Sequence, residues 1–177
     1  MHFRWAQLFI WVLLFVPIFS HAQFTGEYID LFTADIVLEK DSSFSVTERI
    51  EYVFVGEKHG IFRFIPTTHP EPPPSTLKER YIDIEVIGVT QDGDPAIFET
   101  VYETGEVRIQ IGDPDRTVTG MHTYEITYRV RGGISFPKNA GADLYWNVTG
   151  NAWDVPMRRV EAVLSSPDGL FMRERAC

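Results

Sequence analysis

Apolar and polar side chains alternate along much of this chain, and a period of two is the pattern of a β-strand with one buried face. Between residues 44 and 54 the apolar positions are Phe44, Val46, Ile50, Tyr52 and Phe54. Residues 28–39 are also strand-like, and the polar residues 40–43 separate the two segments. The pattern therefore predicts a β-hairpin that turns at residues 40–43.

The same alternation recurs in four later segments, which turn-forming residues separate. Apolar side chains occupy every second position of residues 82–86, 107–111, 124–130 and 160–164. Glycine stands beside aspartate between these segments, for example at Asp92-Gly93 and Gly112-Asp113. About eight or nine short strands with this spacing predict an all-β fold, an antiparallel immunoglobulin/fibronectin-like β-sandwich.

The first 22 residues differ from the rest of the chain. A short basic start at residues 1–4 precedes the almost purely apolar residues 8–19, and Ser20-His21-Ala22 places small residues before Gln23. This order is that of a secretory signal peptide, and the apolar run is shorter than the ~20 residues that span a bilayer. We expect cleavage before Gln23, with an uncleaved anchor as the alternative, and an extracytoplasmic β-sandwich domain at residues 23–177.

The composition indicates a folded domain, and its net charge excludes some kinds of binding partner. Apolar residues make up 44% of the 177 residues, which is enough for a folded core. The formal net charge is −9 and the pI is about 5.0. Binding to nucleic acid needs a basic face that neutralises phosphate, so we expect no nucleic-acid partner. The same acidity argues against adhesion to anionic lipid by charge alone.

The single cysteine, Cys177, is the last residue of the chain. An exported protein with an odd number of cysteines usually has a disulfide partner elsewhere. We therefore expect the partner of Cys177 to lie beyond the end of this chain. No second apolar span occurs in residues 23–177, so this part is expected to lie on one side of a membrane.

Four motifs, in this order along the chain, resemble those of a known family. They are Glu-Lys-Asp-Ser-Ser-Phe-Ser-Val-Thr-Glu at residues 39–48, Gly-Ile-Phe-Arg-Phe-Ile-Pro at 60–66, Tyr-Glu-Ile-Thr-Tyr at 124–128 and Leu-Tyr-Trp-Asn-Val-Thr-Gly-Asn-Ala-Trp at 144–153. Residues 24–177 thereby resemble the exported N-terminal domain of the bacterial "predicted membrane protein" family, domain of unknown function number 2207.

The resemblance implies a larger, membrane-anchored protein. Members of the family carry a signal peptide, this β domain, one or more membrane spans and often a glycine-rich tail. The resemblance therefore implies a transmembrane span after Cys177. It also implies a cysteine pair that follows the last strand, with Cys177 as its first member. The family implies topology and no particular chemistry.

The sequence offers little for catalysis or metal binding. His59, His69 and His122 show no metal-ligand spacing and are expected at the surface. Asp-rich turns, with Asp92 and Asp113 among them, favour turn formation over a calcium site, and calcium stays an open alternative. No Gly-x-Ser-x-Gly and no glycine-rich phosphate loop occurs. We therefore predict no catalytic residues, metal or cofactor, although a pair of glycosidase-type carboxylates stays open because its geometry is three-dimensional.

Glu48 and Arg63 are the most informative charged residues. Glu48 shares its parity with the apolar positions of residues 44–54, so its side chain should point to the buried face. Arg63 interrupts the apolar run at residues 61–65. A buried charge needs a partner, so we predict that Glu48 and Arg63 form an ion pair. The pair either specifies the fold or binds a ligand; the first alternative is favoured.

Trp146 and Trp153 flank the polar residues 147–151. The favoured interpretation is that one of them is a core side chain; the alternative is two exposed rings that stack on a sugar ring or dock a partner. The binding candidates are therefore Trp146, Trp153, Arg63 and Glu48.

The resulting functional prediction is a non-enzymatic extracytoplasmic interaction domain of a membrane-anchored envelope protein. It is exported and expected at the extracytoplasmic face of the cell membrane, held by a span outside this chain. An envelope protein or polysaccharide is the expected partner. One alternative is a structural or sensor subunit of a membrane complex, which open edge strands would support. The other is a hydrolase that acts on envelope material.

Overall fold

The structure is a computed structural model, and it describes residues 25–70, 79–136 and 141–166. The predicted signal peptide at residues 1–22 and Cys177 with its expected disulfide lie outside these residues. Every regular secondary-structure element in the described residues is a β-strand, so the predicted all-β class is confirmed. In these three ranges no helix is long and apolar enough to cross a membrane.

Thirteen strands run through the described residues, eight with at least six residues and five with two or three. They are β1 (Tyr28–Leu38), β2 (Phe44–Lys58), β3 (Ile61–Pro66), β4 (Thr68–Pro70), β5 (Glu79–Tyr81), β6 (Asp83–Gln91), β7 (Asp94–Pro95), β8 (Phe98–Glu103), β9 (Glu106–Ile111), β10 (Val118–Arg131), β11 (Ile134–Ser135), β12 (Asp143–Leu144) and β13 (Val160–Ser165). The predicted hairpin is confirmed, because β1 and β2 pair antiparallel on either side of residues 40–43.

The strands form two large and two small sheets. The largest has six strands in the order β13-β1-β2-β10-β6-β7, and a second has three in the order β3-β9-β8. β4 pairs with β5 and β11 pairs with β12 in two-stranded sheets. Every pairing is antiparallel except that of β1 with β13, which is parallel.

The parallel β1–β13 pair corrects the prediction of a purely antiparallel fold. Its cause is the long connection from β12 to β13, which returns the chain to the start of β1. There the Ile29 N–H donates to the Pro156 carbonyl at 2.9 Å, and the Arg158 N–H donates to the Ile29 carbonyl at 2.9 Å. These two bonds lay the chain beside β1 in the same direction, so β13 adds in parallel.

The six-stranded and three-stranded sheets share one hydrophobic core. Alternate residues of the larger sheet, such as Phe32, Ile50 and Tyr124, are buried with Ile65 and Ile109 of the smaller sheet. Burying one such side chain contributes about 1.5–3 kcal/mol. The period-two pattern therefore identified the core faces of β2, β9 and β10 correctly. In β1 the register shifts between Ile29 and Leu31, and Phe32 and Ala34 are buried beyond this point.

β13 departs from this rule. The alternation at residues 160–164 predicts a half-buried strand, but all six residues of β13 are exposed. Val163 is 58% exposed and Val160 is 45% exposed. β13 ends the order of the six-stranded sheet, beyond β1, and no described element covers either of its faces. The prediction of burial was wrong because alternation shows only which side chains share a face of the strand. Burial also needs another element that packs on that face.

Candidate binding site

Glu48 lies in the middle of β2, on the face that the neighbouring apolar residues Val46 and Ile50 share. Its side chain is 0% exposed, as its parity predicts. An isolated carboxylate in such surroundings costs several kcal/mol, so the fold has to provide donors for both of its oxygens.

Arg63 of β3 provides two of these donors. Its Nε donates to Glu48 Oε2 at 2.7 Å, and its Nη2 donates to Glu48 Oε1 at 2.6 Å. The Arg63 side chain is 1% exposed. The predicted ion pair is therefore confirmed, and it joins β2 of the six-stranded sheet to β3 of the three-stranded sheet through a bidentate contact.

Tyr128 of β10 completes the shell around the carboxylate. Its hydroxyl donates to Glu48 Oε1 at 2.6 Å. Burial and the adjacent carboxylate raise the pKa of Tyr128 well above its usual value. Burial by itself would lower the pKa of Arg63, but the Glu48 carboxylate outweighs it and the pKa is raised. Both groups therefore keep their protons, and the network stays fully bonded at physiological pH.

The remaining N–H groups of Arg63 hold the segment that contains the two tryptophans. Nη1 donates to the carbonyls of Phe64 at 2.6 Å and Thr149 at 3.0 Å, and Nη2 donates to the carbonyl of Val148 at 3.1 Å. All five N–H donors of the guanidinium are thus used. Because two of these hydrogen bonds go to the carbonyls of residues 148 and 149, Arg63 fixes this segment against β3.

Gly150 allows this close approach. Its φ of +72° is in the left-handed region, and a Cβ placed there would lie 2.5 Å from Arg63 Nη1 and 3.0 Å from the Phe64 carbonyl oxygen. Any side chain at this position would therefore push the segment away from the guanidinium.

Both predicted tryptophans pack on the core. Trp146 meets the ring of Phe44 edge-on, with 5.2 Å between centroids. Trp153 donates from Nε1 to the Thr149 carbonyl at 2.9 Å, and the Arg63 Cζ lies 6.0 Å from the centroid of its ring. The favoured core interpretation is thus confirmed for the partly buried rings of both residues. A direct contact of Trp146, Trp153, Arg63 or Glu48 with a ligand stays a prediction.

A groove opens beside Trp153. It has a volume of about 480 Å³ and lies between the end of β2, the start of β3 and residues 152–155. We call it the aromatic groove, because the rings of Tyr52, Phe54, Phe62, Phe64 and Trp153 line it together with Glu27, Lys58, Gly60, Ile61, Ala152, Asp154 and Val155.

Charged groups cluster at one end of the aromatic groove. The Tyr52 hydroxyl donates to Glu27 Oε2 at 3.1 Å, and Lys58 Nζ lies 3.9 Å from Glu27 Oε1. Burial, the hydrogen bond to Glu27 and the charges of Glu27 and Asp154 raise the pKa of Tyr52 far above its usual value. Its hydroxyl therefore remains a proton donor, directed at Glu27.

Sequence analysis identified Trp153 and missed the other lining residues. Glu27 precedes β1, Phe62 lies on β3 and Asp154 follows the tryptophan segment. The exposure of Phe62 between the buried Ile61 and Arg63 follows from parity, so that residue could have been found. No local pattern links Glu27 to Asp154, since only the folded chain brings these positions together.

The Asp-rich turns use their carboxylates for backbone hydrogen bonds. Asp92 Oδ1 accepts from the Thr123 N–H at 2.9 Å, and Asp113 Oδ1 accepts from the Asp115 N–H at 2.9 Å. The Asp113 bond is the local turn-forming role that the sequence favours, whereas the Asp92 bond joins the turn to β10. Within the described ranges, no group of three or more His, Cys, Asp or Glu side chains is arranged to hold a metal ion.

One histidine is not where the sequence suggested. His69 is only 5% exposed, and its ring meets that of Tyr145 edge-on at 5.4 Å. The expectation of a surface histidine was wrong because the segment with the tryptophans folds over β4, which a local pattern does not reveal.

Comparison with known proteins gives a family and one curated relative. Residues 28–174 match the family described as "Predicted membrane protein (DUF2207) N-terminal domain". The chain is 32% identical over 149 residues to "Uncharacterized protein YciQ" of Escherichia coli (strain K12), an alignment that covers 79% of this chain and 23% of that protein. The chain therefore spans about a quarter of the length of the curated relative that it matches.

Solved structures show only a weak likeness. Native yeast LTA4 hydrolase aligns with a TM-score of 0.39 at 15% identity, over 58% of this chain and 14% of that one. The M1 zinc metallopeptidase from Deinococcus radiodurans aligns with a TM-score of 0.37 at 10% identity, over 59% of this chain and 20% of that one. A likeness at this level carries no argument about the present chain.

Proposed function

Because the chain belongs to the family of predicted membrane proteins with the DUF2207 N-terminal domain, we propose that it is a non-enzymatic interaction domain of a membrane-anchored protein. The proposal places the domain at the extracytoplasmic face of the cell membrane, because residues 1–22 have the three-part order of a secretory signal peptide. An envelope protein or polysaccharide is its proposed partner. An immunoglobulin/fibronectin-like form of the sandwich is part of the proposal, supported by two sheets that share a core.

The observation that carries the proposal is the aromatic groove and the network behind it. Arg63 fixes the Thr149 carbonyl, and Trp153 donates to the same carbonyl, so the ring is oriented before any partner arrives. An oriented aromatic wall loses little conformational entropy on binding, which favours affinity. Phe62, which is 46% exposed, adds apolar surface to the same groove.

The internal use of the charged groups supports binding over catalysis. Glu48 and Arg63 bond to each other, Glu48 also accepts from Tyr128, and neither charged group reaches the surface. A general acid or base needs contact with the substrate and a proton that it can exchange. The buried ion pair of Glu48 and Arg63 is thereby proposed to be structural.

The test is site-specific photo-crosslinking in bacterial cells that produce the full-length protein. A photoreactive amino acid at Ala152, which is exposed on the rim of the groove, should give discrete light-dependent adducts. The control position is Val37, which is 41% exposed on β1 and outside the groove. Equal adducts at both positions, or none at Ala152, would contradict the proposal.

The proposed location has its own measurement. In intact spheroplasts of the same cells, the domain should be degraded by added protease while a cytosolic marker survives. Protection of the domain until the membrane is lysed would overturn the extracytoplasmic assignment.

A second candidate function, a structural subunit of a membrane complex, is favoured by β13. This strand ends the order of the six-stranded sheet and exposes Val160, Val163 and Leu164. An exposed apolar edge strand is a template for addition of another strand. Val163→Lys should then lower the mass of the native complex extracted in mild detergent, while the adducts at Ala152 persist. An unchanged mass would exclude this role for β13.

A further inference from the structure

The aromatic groove carries an excess of negative charge. Glu27 and Asp154 contribute two carboxylates and Lys58 one ammonium group. The Lys58 ammonium is 3.9 Å from Glu27, and its side chain is 53% exposed, so that it is free to move into solvent. Asp154 is exposed at the rim of the groove. With Lys58 paired to Glu27, the exposed Asp154 carboxylate gives this groove a net negative charge, which favours a cation.

The walls of the groove also suit a cation on an aliphatic stem. Phe62 and Phe64 stack on one another with 6.3 Å between ring centroids. The guanidinium of Arg108 lies 5.8 Å from the centroid of Phe62, outside the groove, and Phe62 also lines the groove. Aromatic faces attract cations electrostatically, and the methylene groups of lysine or arginine pack on apolar surface while the charge stays wet.

The edge of β3 adds a backbone surface to the groove. β3 has one hydrogen-bonded neighbour, β9. The carbonyl of Phe64 accepts from Arg63 and lies near Gly150, so it points to the side of β3 that is away from β9. In an antiparallel strand, alternate residues direct their backbone groups to the same side, so the N–H and carbonyl of Phe62 also face that edge, beside the groove that Phe62 lines.

We propose that the aromatic groove binds an extended peptide segment that carries an arginine or lysine. The basic group lies at the carboxylates of Glu27 and Asp154, its stem packs on Phe62, and the peptide backbone meets the edge of β3 at Phe62, before residues 148–150 cover that edge at Phe64. The volume of about 480 Å³ lies within the range of sites that enclose a small ligand group. This inference deepens the proposed function and depends on it, since it names the partner chemistry of the same groove.

The experiment measures fluorescence anisotropy of the purified protein with a labelled peptide in which alanine and arginine alternate. A peptide with glutamine in place of arginine is the comparison. The arginine peptide should bind with saturation, and the glutamine peptide should bind at least about fivefold more weakly. Equal binding of both peptides would overturn the proposal.

Two substitutions at the groove and one elsewhere separate specific binding from attraction to an acidic protein. Asp154→Asn should weaken binding of the arginine peptide about fivefold, and Lys58→Gln should strengthen it, because a competing cation is removed. Asp35→Asn makes the same change of charge at an exposed position of β1 outside the groove and should leave affinity unchanged. Equal effects of Asp154→Asn and Asp35→Asn would refute the assignment.

The outcome also distinguishes this inference from the proposed function. If a soluble chitosan oligosaccharide competes with the arginine peptide and binds more tightly, the groove recognises an amino sugar and the peptide proposal is wrong. If neither probe binds while the photo-crosslinks at Ala152 persist, the ligand class is wrong and the interaction domain stands. If the crosslinks are absent as well, both proposals fail.

Discussion

Replacing Arg63 with methionine isolates the contribution of the buried network. Methionine keeps most of the aliphatic stem and removes all five donated hydrogen bonds. Glu48 would retain only the bond from Tyr128, at 2.6 Å. Breaking a buried pair from one side leaves an uncompensated charge, which costs about 3–5 kcal/mol. Since a domain of this kind has about 5–15 kcal/mol of stability, Arg63→Met should be folded but close to its limit.

The matched control lies on the neighbouring strand β9. Arg108 Nε is 3.4 Å from Glu103 Oε1, and both side chains are partly exposed. Arg108→Met makes the same chemical change, and an exposed pair contributes about 0–1 kcal/mol. The difference between the two variants therefore measures what burial adds to the ion pair.

Urea unfolding followed by tryptophan fluorescence is a suitable assay. In residues 23–177 the tryptophans are Trp146 and Trp153, and the latter lies 6.0 Å from the Arg63 guanidinium carbon. Arg63→Met should lower the free energy of unfolding by about 3–5 kcal/mol, and the double variant Glu48→Leu with Arg63→Met should recover about 2 kcal/mol of this loss. The reasoning is refuted if Arg63→Met is no more destabilising than Arg108→Met, or if the double variant equals the sum of its single changes.

Three further predictions concern the surroundings of the site. Gly150→Ala should destabilise the domain by about 1–3 kcal/mol, because φ is +72° and the new Cβ would lie 2.5 Å from the Arg63 Nη1 atom; Gly141→Ala, with open space around it, is the control. Burial lowers the pKa of His69 below 6.5, so the unfolded chain binds a proton at this residue more readily than the folded chain does. The free energy of unfolding should therefore fall as the pH drops below about 6.5, and it should fall less in His69→Phe. Calcium should leave the melting temperature unchanged, because the Asp92 carboxylate already accepts from the Thr123 N–H of β10 and the Asp113 carboxylate accepts from the Asp115 N–H.

Each of these expectations has a result that contradicts it. Equal urea midpoints for Gly150→Ala and Gly141→Ala would show that residues 148–150 yield without strain. An acid transition that is identical in the parent and in His69→Phe would assign the pH dependence to other groups. A calcium-dependent rise in melting temperature would restore the calcium alternative for the Asp-rich turns.

The candidate site was predictable where the argument concerned one side chain and its parity. Glu48 had to be buried because its neighbours two residues away on β2 are buried, and a buried carboxylate needed a cation. Arg63 is the charged residue in the apolar run at residues 61–65, and it needed a partner as well, so the two were predicted to pair. Tyr128 and the carbonyls of residues 148–149 did not follow, because their approach depends on how distant segments pack.

The sequence was enough to predict the β1–β2 hairpin and the buried faces of β2, β9 and β10. It could do so because side chains alternate across a strand whatever the strand packs against. Tertiary structure alone decided that β13 lies parallel to β1 and exposed, and that Glu27, Phe62 and Asp154 line one groove. Those features depend on which strands are neighbours and on what covers them, and both are properties of the packed chain and not of any local segment.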